Sequence, residues 1–249
     1  MVPVSIKSLQ HPIVKELTHL RKNAKARQQA SEALICGCKM VAELGRARSL
    51  KTLLILENLN PNDYPPALHT YFVTEGILKK ITGLEHPEGV VATLAIPKSA
   101  DLTGKKRLLI LDHISDPGNL GTLLRTACAL CYDGAFLVHG VDPYNDKALR
   151  AAKGATFHLP LASGTVHDAL LIIKGLTAYA GALDGKPLEE CKPLEPFAVI
   201  VSSESHGISD ELAKHCQRVT IPMNTCVDSL NVAVAGGILL YALDPRRLR

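Results

Sequence analysis

The sequence predicts an α/β protein in two parts: a small N-terminal α/β domain at residues 1–97 and, beyond a linker at 98–106, a parallel-sheet domain at 107–249. The alternation in the C-terminal half is the main observation. Leu108–Leu111, Ala135–His139, Phe157–Leu161, Thr177–Ala182, Ala198–Ser202 and Val219–Met223 read as short apolar strands. Leu120–Cys131, Asp146–Ala152, Val166–Lys174, Ile208–His215 and Leu230–Leu243 read as helices between them. Strands that alternate with helices form a parallel sheet covered on both faces. The second observation is the polar stretch from Pro97 to Lys106, punctuated by Pro and Gly and flanked by apolar runs. The third is a weaker alternation upstream of it.

In that upstream part, residues 12–30 read as one basic helix opened by Pro12. Short apolar runs at Leu34–Ile35, Leu53–Leu56, Tyr71–Val73 and Val90–Ile96 read as strands, with helical stretches between them. The chain has 249 residues and is 47% apolar, enough for a substantial core. With 4% aromatics and no Trp, Leu, Ile, Val and Ala must fill it. No uncharged apolar run reaches the roughly 18 residues of a membrane span. The start of the chain lacks the pattern of a signal peptide. Seven cysteines without a framework pattern lead to the expectation of a reducing cytoplasm and no metal site.

The net charge of +4 is uneven. Residues 1–51 carry ten Lys and Arg against three Glu, a net +7, so the remainder is slightly acidic. A basic block on a near-neutral body is a landing surface for a polyanion, and a solvated helix face is the plain alternative. Lys15, Arg21, Lys22, Lys25 and Arg27 are the candidate phosphate contacts.

In a doubly wound sheet the ligand sits beyond the carboxyl ends of the strands. Three loops therefore matter. The first, Asp112–Asn119, makes a tight Pro-Gly turn and starts a helix that carries Arg125; Asn119 is the expected helix cap. It has no G-x-G-x-x-G, so the dinucleotide fingerprint is absent. The second, Ser202–Ser209, places Glu204 after a buried strand. The third runs from Ile221-Pro222-Met223 to Ser229-Leu230-Asn231-Val232, and Ser229 is the expected cap of a helix too apolar to be solvated.

Together and in this order, the three segments resemble the signature motifs of the SpoU (TrmH-like) family of the SPOUT superfamily. Asp112, Asp116, Pro117, Asn119, Gly121, Arg125, Thr126 and Ala127 match the first motif; Ile221–Met223 and Ser229–Val232 match the third. The segments around Asp142–Asn145 and His86–Ala92 are similar too. Ser202, Ser205 and Thr225 stand where the family usually has Gly.

The resemblance implies a deep trefoil knot in the C-terminal domain and a ribosomal-protein-like substrate-binding domain before it. It implies S-adenosylmethionine as cofactor, held at Ser202, Ile221, Met223 and Leu230. It implies RNA as substrate, rRNA before tRNA, with methylation of a ribose 2′-hydroxyl and a homodimeric assembly. Catalysis would fall to Arg125, Asn119, Glu204, Ser229 and Asn231. A non-catalytic RNA-binding protein of the same fold is the competing expectation.

Overall fold

A computed structural model describes residues 4–203, 206–224 and 226–247. The chain forms two compact units: the residues up to Pro97 together with Tyr144–Phe157, and Lys98–Pro143 together with His158 onward.

The first unit contains β1 (Val4–Ile6), α1 (Pro12–Lys22), α2 (Ala24–Ala30), β2 (Glu32–Cys36), α3 (Cys38–Ala47), β3 (Leu50–Leu56), β4 (Ala67–Val73), α4 (Glu75–Thr82) and β5 (Val90–Ala95). Its sheet has the order β1-β4-β3-β5-β2, with β5 antiparallel to both neighbours. The single helix expected over residues 12–30 is two. Asn23 is extended, ends α1 and caps α2 by accepting the Ala26 amide. An Asx side chain that bonds its own backbone competes with helix continuation.

The segment 144–157 departs from the expected boundary, which placed it in the C-terminal domain. Its Leu149 and Phe157 are buried with Ala33, Ile35, Leu44 and Leu53 of the first unit. Arg48 donates to the Phe157 carbonyl and stacks over its ring. The segment is helical at α6 (Asp146–Ala152). Phe157, expected to open a strand, closes a 3₁₀ turn instead.

The second unit holds β6 (Arg107–Ile114), α5 (Pro117–Ala129), β7 (Gly134–Gly140), β8 (Leu161–Gly164), α7 (Val166–Ile173), β9 (Thr177–Pro187), β10 (Phe197–Ser202), α8 (Asp210–Ala213), β11 (Gln217–Thr220) and α9 (Val232–Ala242). All strand pairs are parallel, in the order β11-β9-β10-β6-β7-β8. The central strands β6 and β10 are buried along nearly their whole length, as strands covered on both faces must be. From β6 the chain winds outward through β7 to β8, then crosses to β9 and returns to β10. The order reverses between β6 and β10, the kind of point at which doubly wound sheets bind ligands beyond the strand ends.

Two features of this sheet shape the crevice. The last strand was expected over Val219–Met223 but spans Gln217–Thr220; Pro222 has no amide to donate to a ladder. The β9–β11 register jumps between Arg218, paired with Ala180, and Val219, paired with Lys186. Residues 181–185 are thus left out of that ladder and bulge from the strand. At Gly185 the backbone of β11 comes so close that an added Cβ would meet Val219 N at 2.4 Å.

Candidate active site

The bulge of β9 forms one wall of a cavity of about 370 Å³ at the carboxyl ends of β9, β10 and β11. Gly181, Ala182, Leu183 and Asp184 line that wall. Val201, Ser202 and Ser203 supply the floor from the end of β10, and Ile221, Met223, Ser229 and Leu230 close it from the segment before α9. The lining is mostly apolar, with an Asp184–Arg218 ion pair at its edge. Such a site, apolar with a few directed polar groups and within the usual 300–1,000 Å³, fits a small amphiphilic ligand. All four residues expected to hold the cofactor, Ser202, Ile221, Met223 and Leu230, line it. The Asp184–Arg218 pair had no signal in the sequence, because only the bulge brings the two together.

A second concavity lies between α5 and α9, lined by Asn119, Thr122, Asn231, Val234, Gly237, Ile238 and Tyr241. Here the side-chain amide of Asn231 donates to Asn119 Oδ1 at 3.1 Å. Both ends of this helix pair are tied. At the start, Asp116 rather than Asn119 caps α5, accepting the Asn119 amide. Asn231 rather than Ser229 caps α9, accepting from Ala233 and Val234. At the far end, the Tyr132 hydroxyl donates to the Leu240 carbonyl, and Arg246 joins Asp244 to the Leu130 carbonyl. Burial pushes the Tyr132 phenol up, the Asp244 carboxylate adding to it, so this group stays a donor. The helices approach closely because Gly236 sits against Leu123 and Gly237 against Thr126.

The structure thus brings Asn119 and Asn231 together, with Ser229 on the neighbouring cavity wall. Arg125 is exposed on α5, roughly 9 Å along the helix axis from Asn119 at 1.5 Å per residue. Glu204 lies outside the described residues. Of the candidate RNA contacts, Lys15, Lys22 and Lys25 are exposed. Arg27 corrects the expectation: it is 3% exposed and donates to the carbonyls of Leu20 and Arg21, closing the end of α1 from within. Arg21 is largely buried beside Asp146. Both were counted as surface charge because a linear sequence does not show which face of a helix pair is covered.

The loop after β6 is anchored by Asp112, which is 0% exposed. Its Oδ2 accepts the backbone amide and hydroxyl of Ser209, and its Oδ1 lies 2.7 Å from His113 Nδ1. The ends of β6 and β10 are therefore held in fixed relation, Asp112 standing opposite Ser202 in the ladder.

The chain matches the SpoU rRNA methylase family model over residues 106–241 and the MRM3-like substrate-binding domain model over 11–92. It is 33% identical to a 23S rRNA (guanosine(2553)-2′-O)-methyltransferase of Bacillus subtilis, over 96% of this chain and 98% of the relative. It resembles the AdoMet-bound rRNA methyltransferase of Sinorhizobium meliloti with a TM-score of 0.85 and 27% identity, covering 97% of each chain. It also resembles a crystallised RNA 2′-O ribose methyltransferase with a TM-score of 0.86 and 28% identity, covering 99% of this chain and 100% of the other. On its motifs, its fold and these full-length matches, the chain belongs to the SpoU rRNA methylase family.

Proposed function

We propose that the chain transfers a methyl group from S-adenosylmethionine to a ribose 2′-hydroxyl of ribosomal RNA. The observation that carries this reading is the cavity at the β9–β11 strand ends, lined by the four residues of the family's cofactor motifs and set beside the linked pair Asn119–Asn231. The apolar walls suit an adenine ring and the methylene chain of the methionine part, and the Asp184–Arg218 edge suits the charged amino-acid end. When bound, the sulfonium supplies an activated methyl group.

The protein's task is to align the acceptor oxygen and handle its proton. Correct placement alone is worth effective molarities on the order of 10⁵ M or more. An Arg guanidinium holds its proton under all ordinary conditions, so it is a poor base. Arg125 instead stabilises the negative charge that develops on the ribose oxygen and grips a neighbouring phosphate. Asn119, Asn231, Ser229 and Glu204 orient the sugar.

Ribosomal RNA is favoured over tRNA because relatives matching along nearly the whole chain carry rRNA names, and because residues 11–92 match a substrate-binding domain. In that domain Lys15, Lys22 and Lys25 contact the phosphates. The knotted arrangement of the C-terminal loops and a cytoplasmic setting come with the family reading. Homodimerisation is supported by α9, whose Val234, Ile238 and Tyr241 are 52%, 38% and 55% exposed at helical spacing on one face.

The direct test of the cavity is calorimetric titration with S-adenosylmethionine. One site per chain is expected, abolished by Ala182→Trp, which fills the space, at unchanged melting temperature. Absence of binding by the wild type would overturn the reading.

A further inference from the structure

The carboxyl ends of β6 and β7 carry two residues in the left-handed region that are not glycine: His113 at φ 56° and His139 at φ 45°. They are neighbours on adjacent strands, between the paired positions Asp112–Val138 and Ile114–Gly140. A side chain bearing a Cβ is strained in this backbone conformation, which glycine adopts freely. Strain of that kind concentrates at functional sites, and two cases side by side call for a reason. A third imidazole completes the group. The His113 ring lies 5.2 Å from that of His139 and 5.5 Å from that of His206, with only 14° between the His113 and His206 planes.

The cluster is built, not incidental. Asp112 Oδ1 accepts from Nδ1 of His113, which fixes the ring and its tautomer and leaves Nε2 as the nitrogen available to a ligand. The same carboxylate holds Ser209, three residues after His206, to β6. His206 Nδ1 is 3.3 Å from Ser203 Oγ, and Ser203 lines the cofactor cavity. The imidazoles are thus one hydrogen bond from the cavity wall. They remain open to solvent, the His113 side chain being 35% exposed and His139 and His206 exposed.

We infer that His113, His139 and His206 form a nucleobase-stacking subsite that selects the RNA nucleotide presented to the methyl-transfer centre. Flat imidazole faces, linked through His206 to a residue of the cavity wall, match the mode by which unpaired RNA bases are recognised, by stacking and by their edges. His113 Nε2, aimed by Asp112, is the edge-reading group. This inference rests on RNA being the substrate.

The test uses the full-length protein and an unmodified 23S rRNA transcript. His113→Asn keeps a residue tolerant of the left-handed backbone and removes the ring. With one stacking face lost, RNA affinity should fall about tenfold with the slope of affinity against salt unchanged. S-adenosylmethionine affinity and melting temperature should match the wild type. His139→Asn should act in the same direction, which guards against a fault particular to one variant. Wild-type RNA affinity in both variants would overturn the subsite, as would a weaker salt dependence, which marks a phosphate contact. Wild-type protein that methylates RNA while both variants bind normally defeats the subsite alone. Wild-type protein that shows the histidine effect but transfers no methyl defeats the methyl-transfer reading alone.

Discussion

Asn231 donates its side-chain amide to Asn119 Oδ1 at 3.1 Å, joining the first turns of the two helices that flank the candidate active site. The same Asn231 caps α9 through its Oδ1, so one side chain serves both helix stability and site geometry. These roles separate by mutation. Asn231→Ala removes both and should lower stability by about 1 kcal/mol, as lost caps do. Asn231→Asp keeps the cap but has no amide to donate to Asn119. It should melt like the wild type while methyl transfer falls at least tenfold. Wild-type turnover in the Asp variant would show that the link to Asn119 is not needed.

Arg125 is exposed on α5 and makes no ion pair with another described residue, so its removal should not disturb the fold. Arg125→Ala is expected to abolish methyl transfer and leave S-adenosylmethionine affinity within about twofold. Arg125→Lys should recover little, because a point charge does not reproduce the planar two-pronged guanidinium. Turnover unchanged in the Ala variant would remove Arg125 from the mechanism.

The basic residues near the N-terminus divide by burial. Lys15, Lys22 and Lys25 are exposed, and the triple Ala variant should bind RNA more weakly, with a shallower dependence on salt and an unchanged melting temperature. Arg27 is buried and holds two carbonyls. Arg27→Ala should instead cost about 2 kcal/mol of stability by leaving those groups unsatisfied. Equal RNA affinity in the triple variant would move the RNA surface elsewhere.

Asp133 gives a prediction about pH. Burial opposes its ionisation, but the Arg107 guanidinium and the amides of Lys106 and Arg107 outweigh it and hold its carboxyl below the usual range. A carboxyl with a lowered folded pKa contributes stability above its unfolded value near 3.9, and that contribution is lost as pH falls through the folded pKa. The wild type should therefore lose more stability than Asp133→Asn between about pH 5 and pH 2. Parallel denaturation curves for the two would contradict this.

The amount of structure visible in the sequence varied with how local its cause was. The alternation from Leu108 onward reported the parallel sheet, because buried parallel strands must be apolar on both faces. The cofactor-cavity residues came from motif resemblance and fell on one cavity. The helix caps were misplaced by two or three residues because Asp116, Asn119, Ser229 and Asn231 are all capping types, and only backbone geometry chooses among them. Phe157 was expected to open a strand and closes a 3₁₀ turn, because it looks like a strand residue until the core around Ala33 and Leu44 is present to receive it. The bulge of β9 and the gathering of His113, His139 and His206 depend on contacts between distant segments, which no local pattern records.

The most direct test of the central claim is transfer of a radiolabelled methyl group from S-adenosylmethionine to unmodified ribosomal RNA, with the labelled nucleotide then mapped. The expected result is a single 2′-O-methylated ribose, absent with Arg125→Ala. No transfer to ribosomal RNA, or label found on a base instead of a ribose, would contradict the account.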